Sequence, residues 1–389
     1  MKSYRQVKKK VIRVLTASYV VPWHMHNTLK RISKDFDVYV VGQGVTAYRS
    51  VYPNITFVDV NIDRKTRVFK DFSALVALVR IFIAVQPDIT HSIMPKAGLL
   101  TSIAAFLCRV PVRIHTFTGQ TWVAKQGGAK YFYYYIDKLI NRLNTKCITD
   151  SPSQSEFLLS NGISKQGCAL DVLSIGSLSG VDIDKFDVSK YMIEAELLKK
   201  KYGLLDADYI FAFIARKTVA KGAVDMLLAF SLIREKFNAA KLLFIGPDED
   251  GEISRLKETQ PELFENVIDI GEVESPEHYL ALTKVLCLPS YREGFGSIVI
   301  DAAAMGVPTI GYRIPGLVDS VEDKETGLLV NMGEKLELVN AMNEFLVNPK
   351  LHLELGDKAR LRVHKYFSAD ILYACLKDVY LETDNTRYL

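Results

Sequence analysis

The constraint that bears hardest on this chain is an alternation of short β-rich runs and helical patterns that occurs twice. In the first half, VIRVLTA (11–17), DVYVVG (37–42), ITFVDV (55–60), DITHS (88–92), VRIHTF (112–117) and KCITD (146–150) are separated by helical patterns near 23–34, 66–85, 96–109 and 128–143. In the second half, YIFAFIA (209–215), KLLFIG (241–246), VIDIG (267–271), VLCLPS (285–290) and PTIGY (308–312) alternate with helices near 221–237, 275–284 and 297–305. Such alternation implies parallel sheets covered by helices on both faces. Two units of this kind predict an α/β chain with two Rossmann-like domains, each binding ligand at the carboxyl ends of its strands. Glycine and serine interrupt the pattern across 173–186, so the domains are expected at 1–175 and 176–366, with a last helical segment in 367–389.

Composition fits this plan. The chain has 389 residues, of which 49% are hydrophobic and 24% charged, enough for two domains. Its five cysteines (Cys108, Cys147, Cys168, Cys287, Cys375) lie far apart with no C-x-x-C pair, against a disulfide framework or a structural zinc and in favour of a cytoplasmic compartment. The apolar run VIRVLTASYVV is broken by Arg13 and too short to span a bilayer, so neither a signal peptide nor a transmembrane helix is expected. Net charge is only +4, but Lys2, Arg5, Lys8, Lys9 and Lys10 crowd one end, and Lys125, Lys130, Lys138, Arg142 and Lys146 surround the aromatic run YFYYYI at 131–136. Cations around rings suit an anionic membrane surface; they equally suit a core helix with a solvated basic edge. No nucleic-acid partner is expected.

The densest chemistry lies in LPSYREGFGSIVIDAAAMGVPTIGYR, residues 288–313. Glu293 and Asp301 bracket Gly294, Phe295 and Gly296, where backbone can approach a ligand closely, and Ile298, Val299, Ile300 and Ala302 to Ala304 read as a buried helix opening at Ser297. Free amides at that helix start form an anion site. The bland alternative is a tight turn followed by an acid favoured by the helix dipole. Upstream, in FAFIARKTVAKGAVDMLLAF, a strand ends at Ala215 and a helix opens at Gly222. Arg216 and Lys221 therefore share a strand-to-helix loop, where two cations can clamp a diphosphate and stabilise charge building on it.

These segments resemble the E-x7-E and R-x4-K-G elements of family 4 retaining nucleotide-sugar glycosyltransferases, which have the GT-B fold of two Rossmann-like domains facing a central cleft. The family usually has glutamate where this chain has Asp301. The resemblance implies that Arg216 and Lys221 hold the donor's phosphates, that Glu293 bonds the sugar hydroxyls and that Asp301 bonds the ribose. Gly180, Val181, Asp182 and Phe186 match the G-V-D-x-x-x-F segment joining the domains in the family, whose last helix crosses back to the first domain. FIGPDED (244–250), with Asp248, resembles a further donor-side loop, and 271–282 the segment covering the base; ordinary αβ loops explain both equally well.

By the same resemblance the first domain, 1–175, takes the acceptor and the second, 176–366, the donor. RIHTFTGQTW (113–122) resembles an element in which histidine precedes the glycine; that place holds Thr118, with Gly119 and Gln120 after it and His115 upstream within the strand. His91 at a strand end and Lys96 at a helix start suit an anionic acceptor group. His24 and His26 form an H-x-H pair with no third ligand spacing, so no metal is expected, nor any cofactor. The wording of 289–321 is similar to that of bacterial capsule and O-antigen enzymes. That implies transfer from a UDP-sugar, with an N-acetylated hexose or deoxyhexose, to a polyprenyl-diphosphate-linked acceptor, by a protein peripheral on the inner face of the cytoplasmic membrane. A UDP-sugar 2-epimerase of the same double-Rossmann plan and a non-catalytic sugar-nucleotide-binding subunit are the alternatives.

Overall fold

The computed structural model describes residues 8–63, 67–164 and 167–385; Lys2, Arg5 and Thr66 lie outside them. The chain divides into two compact units, one formed by Met1–Gly180 with Ala369–Leu389, the other by Val181–Ser368.

In the first unit, β1 (Lys10–Ala17), β2 (Asp37–Gln43), β3 (Ile55–Asp59), β4 (Ile89–Ile93), β5 (Val112–Phe117), β6 (Lys146–Thr149) and β7 (Asp171–Val172) form a seven-stranded sheet in the order β3-β2-β1-β4-β5-β6-β7. Every pairing is parallel. Alternate residues of β1 serve opposite cores, because side chains alternate across a strand. Val11 and Leu15 pack with Leu29, Ile32 and the Leu372, Leu376 and Tyr380 side chains of the helix Ala369–Asn385. Ile12 and Val14 pack with Leu78, Phe82 and Ala104. The last helix is thus part of the first unit's core, and Arg31 Nε donates to Asp370 Oδ1 at 2.6 Å.

The second unit holds β8 (Tyr209–Ile214), β9 (Ala240–Ile245), β10 (Val267–Ile270), β11 (Val285–Leu288), β12 (Thr309–Tyr312) and β13 (Gly327–Val330), again all parallel, in the order β10-β9-β8-β11-β12-β13. Apart from the edge strand β10, the apolar runs that form these strands are buried almost throughout, as a sheet covered on both faces requires.

Two strands are missing from the sequence reading. β7 is two residues long, too short for a periodicity to register, and β13, GLLV, is a short apolar run without alternation. Helices Pro152–Ser160, Met192–Tyr202, Glu252–Thr259, Lys335–Val347 and Leu351–Tyr366 also escape it. Most of them show little helical periodicity of apolar residues, so in the sequence they read as loop. Between β1 and β2, Pro22 opens a wide turn over Val21–Met25 before the α-helix His26–Asp35 begins.

Candidate active site

In the second sheet the strand order reverses direction between β8 and β11, which pair directly. The crevice outside the carboxyl ends of two such strands is the usual ligand place in this kind of sheet. Both charged motifs leave from there: Arg216 and Lys221 follow β8, and Glu293 follows β11. Gly222 lets the two loops meet. Its φ is +72°, and a Cβ there would lie 1.8 Å from the Pro289 carbonyl oxygen, so no other residue fits without moving backbone.

Lys221 Nζ donates to Glu293 Oε1 at 2.6 Å, and Ser290 Oγ donates to the same oxygen at 2.8 Å. Both side chains of the ion pair are largely enclosed, at 19% and 10% exposure. Arg216, at 31%, donates from Nη1 to Glu249 Oε2 at 2.7 Å. The neighbouring Lys217 turns the other way. It is buried over the Phe244 ring and donates to Asp269 and, at 2.7 Å, to the Ile270 carbonyl, so of the two adjacent cations only Arg216 remains part-exposed. Arg292, which the sequence reading passed over, joins the cluster. Burial holds its guanidinium below the ordinary value, Glu293 opposes that shift and Arg216 adds to it. Three cations and one carboxylate on two loops make a strongly polarised anion site.

Gly294, Phe295 and Gly296 lead into the helix Ser297–Ala304 as expected, but the Phe295 ring is a core group, buried 5.3 Å from the Phe367 ring. Its side chain is therefore unavailable to a ligand, because the apolar core holds it. Asp301 lies within that helix, half-buried. Burial pushes its carboxyl up to about 7, with the Lys185 cation opposing and Glu277 reinforcing the rise. Asp248 caps a helix. One oxygen accepts from Gly251 N at 3.0 Å, and the other from Ser254 N at 2.8 Å and Ser254 Oγ at 2.7 Å, satisfying free amides at the start of Glu252–Thr259.

The acceptor-side residues of the first unit separate into two groups. His91 and His115 are interior. His91 Nδ1 shares a 2.7 Å hydrogen bond with the Tyr380 hydroxyl and Nε2 another of 2.7 Å with Thr116 Oγ1. His115 Nδ1 lies 2.9 Å from Ser92 Oγ, and its ring packs so closely on the helix Pro95–Leu107 that a Cβ at Gly98 would come within 2.4 Å. Desolvation carries His115 down to about 3 and His91 well below its ordinary value, so both rings are neutral. The expectation that either touches an acceptor is corrected: strand residues mid-sheet face the core, whatever their polarity. Lys96 Nζ is held by Asp71 Oδ1 at 2.6 Å and by the Asp63 carbonyl at 2.6 Å. Thr118 and Gly119 are part-exposed just past β5, while Gln120 is buried. His26 pairs through Nδ1 with the Tyr52 hydroxyl.

Comparisons with known proteins agree with this architecture. Residues 194–362 match the family model "Glycosyl transferases group 1" and residues 24–169 the "Glycosyl transferase 4-like domain". A capsular polysaccharide biosynthesis glycosyltransferase, CapM of Staphylococcus aureus, is 27% identical over 96% of this chain and 97% of its own. The UDP-Gal:alpha-D-GlcNAc-diphosphoundecaprenol alpha-1,3-galactosyltransferase of Escherichia coli is 22% identical, covering 82% of this chain and 81% of that protein. Among solved structures, Anabaena Alr3699/HepE in complex with UDP and glucose superimposes with a TM-score of 0.79 at 15% identity, covering 96% of this chain and 100% of that one. The fold is GT-B, two Rossmann-like domains in one chain. The protein belongs to the group 1 glycosyltransferases.

Proposed function

We propose that this enzyme is a retaining, metal-independent glycosyltransferase that moves a sugar from a UDP-sugar to a polyprenyl-diphosphate-linked glycan in capsule or O-antigen synthesis. The observation that carries this is the Lys221–Glu293 pair at 2.6 Å with Arg216 on the adjoining loop, at the switch point of the second sheet. A diphosphate entering there takes Lys221 and Arg216 as counter-ions, and Glu293 is left to bond hydroxyls of the sugar. The bond between the anomeric carbon and the β-phosphate oxygen then breaks, and the cations stabilise the charge left on that oxygen. The same oxygen receives the acceptor hydroxyl proton while the new bond forms on the same face of the sugar, so no side-chain base is required. Fixed cations do the electrostatic work that a metal does elsewhere.

Asp301 is assigned to the ribose and the backbone of Gly294, Gly296 and Ser297 to the donor. Thr118, Gly119, Gln120 and Lys96 are the remaining acceptor-side candidates. Names of the relatives support the substrate classes: one makes capsule, another uses UDP-Gal and a diphosphoundecaprenol-linked sugar, and a structural neighbour holds UDP and glucose. An N-acetylated hexose or deoxyhexose is the donor sugar proposed.

A lipid-linked acceptor calls for a membrane-facing surface. On helix Gly127–Leu143, Tyr131, Phe132 and Tyr135 are exposed, beside Lys130, Lys138 and Arg142, and Phe69 and Phe72 stand out from Val68–Val85. No helix among the described residues is long and apolar enough to cross a membrane. Attachment is therefore proposed as peripheral, on the inner face of the cytoplasmic membrane. The decisive assay incubates the enzyme with UDP-sugars and a polyprenyl-diphosphate saccharide and follows UDP release and product stereochemistry, with and without a chelator. Inverted product, chelator-sensitive turnover, or epimerisation without UDP release would each displace the corresponding part of this function.

A further inference from the structure

We infer that Asp225 is a positioning residue: through the hydroxyls of Tyr291 and Tyr312 it locks the loop carrying Glu293 to the segment carrying Lys221. The inference rests on the assignment of Lys221 and Glu293 to the donor site and adds the device that sets their separation.

Asp225 lies in the first turn of helix Ala223–Arg234, directly after Lys221 and Gly222, and is only 6% exposed. Its Oδ2 accepts from the Tyr291 hydroxyl at 2.5 Å and from the Tyr312 hydroxyl at 2.7 Å. Its one ion-pair partner among the described residues, Lys335 Nζ, stands 3.6 Å from Oδ1 on a half-exposed side chain. A carboxylate so enclosed, with so distant a counter-ion, is costly unless its hydrogen bonds are kept, and both strong ones come from phenols of other segments. Tyr312 is fully buried at the end of β12, so it is the fixed point. Tyr291 belongs to the Glu293 loop and meets the Tyr312 ring edge-on at 5.5 Å.

Tyr291 grips the Lys221 segment at both of its ends. Its backbone N–H donates to the Ala220 carbonyl at 3.0 Å, next to Lys221, while its hydroxyl reaches Asp225. Burial first, and then Asp225, push the phenol up to about 12, so it remains a donor at neutral pH. Asp225 and Tyr312 act on the ion pair through the backbone they anchor. What they supply is the place of the loop on which Glu293 stands, and a diphosphate cation displaced by an ångström loses much of its effect.

The test measures UDP and UMP binding by calorimetry for Tyr291→Phe, Asp225→Asn and Lys221→Ala, because the ratio of the two affinities isolates the extra phosphate. If Asp225 positions Lys221, Tyr291→Phe and Asp225→Asn each lower UDP affinity about fivefold and UMP affinity less than twofold, the size of one ordinary net hydrogen bond. Tyr291→Phe keeps the ring and leaves the Tyr312 bond to Asp225 in place, so it reports even where Asp225→Asn folds poorly. In a Lys221→Ala background, Tyr291→Phe then adds nothing, the mark of two residues acting through one contact. A lowered melting temperature with an unchanged UDP-to-UMP ratio makes Asp225 merely structural and overturns the inference. An unchanged ratio in Lys221→Ala itself overturns the site assignment, and the inference with it.

Discussion

The two sheets share one strand order through six strands, yet they put their polar chemistry in opposite places. In the second unit the charged groups stand beyond the strand ends, on the loops after β8 and β11, and remain within reach of a ligand. In the first unit they lie inside. Arg13, within β1, is paired in register with His91 of β4; it is fully buried, donates to Thr28 Oγ1 at 3.0 Å, and is depressed by desolvation. His91 and His115 follow the same pattern. Identical topology therefore serves two ends: Arg216 and Lys221, past a strand terminus, keep part of their surface exposed, whereas Arg13, His91 and His115, within their strands, are consumed by packing. Function lives in what is grafted on the fold.

The largest test of this contrast is at the presented cations. Arg216→Ala or Lys221→Ala should each cost about 2–4 kcal/mol of transition-state stabilisation, read from kcat/KM, with the melting temperature of the part-exposed Arg216 variant nearly unchanged. Near-normal turnover in a folded variant would break the assignment.

The interior residues should behave in the reverse way. Tyr380→Phe strips His91 Nδ1 of its buried partner, so the first unit should lose about 1–3 kcal/mol in denaturant melts while UDP affinity is kept. Should donor binding fall instead, the distinction between the units fails.

Surface charge supplies a third comparison. Lys130, Lys138 and Arg142 changed to glutamine should weaken binding to anionic vesicles by about 1 kcal/mol per residue, and rising salt should weaken it further. UDP binding is expected to stay as it was. Salt-independent or absent vesicle binding would remove the membrane from the function and leave the donor site intact.

The smallest effect concerns Asp301, whose carboxyl rises from an ordinary 3.8 to about 7 in the folded protein. Between those values the native state binds more protons than the unfolded chain, so this group's contribution makes stability fall as pH rises through the window. Asp301→Asn removes that slope and should gain on the order of 1 kcal/mol over wild type at pH 8 relative to pH 5, in paired urea titrations. Parallel titrations for the two proteins would show that Asp301 is ionised throughout.

From the residues alone came the two rounds of alternation, the two Rossmann-like units and the loop placement of Arg216, Lys221 and Glu293. All of these are local: periodicity states where a strand ends, and parallel topology states which end carries the ligand. Tertiary structure alone decided which polar side chains are spent on the interior. His91 is neutral and closed because Tyr380, 289 positions away, reaches it; Asp225 meets Tyr291 and Tyr312 across 66 and 87 positions. Phe295 is core because Phe367 lies against it, and Asp248 is a cap because its helix begins four residues later at Glu252. Burial and hydrogen bonding at such distances depend on which segments pack together, and no short stretch of sequence encodes that.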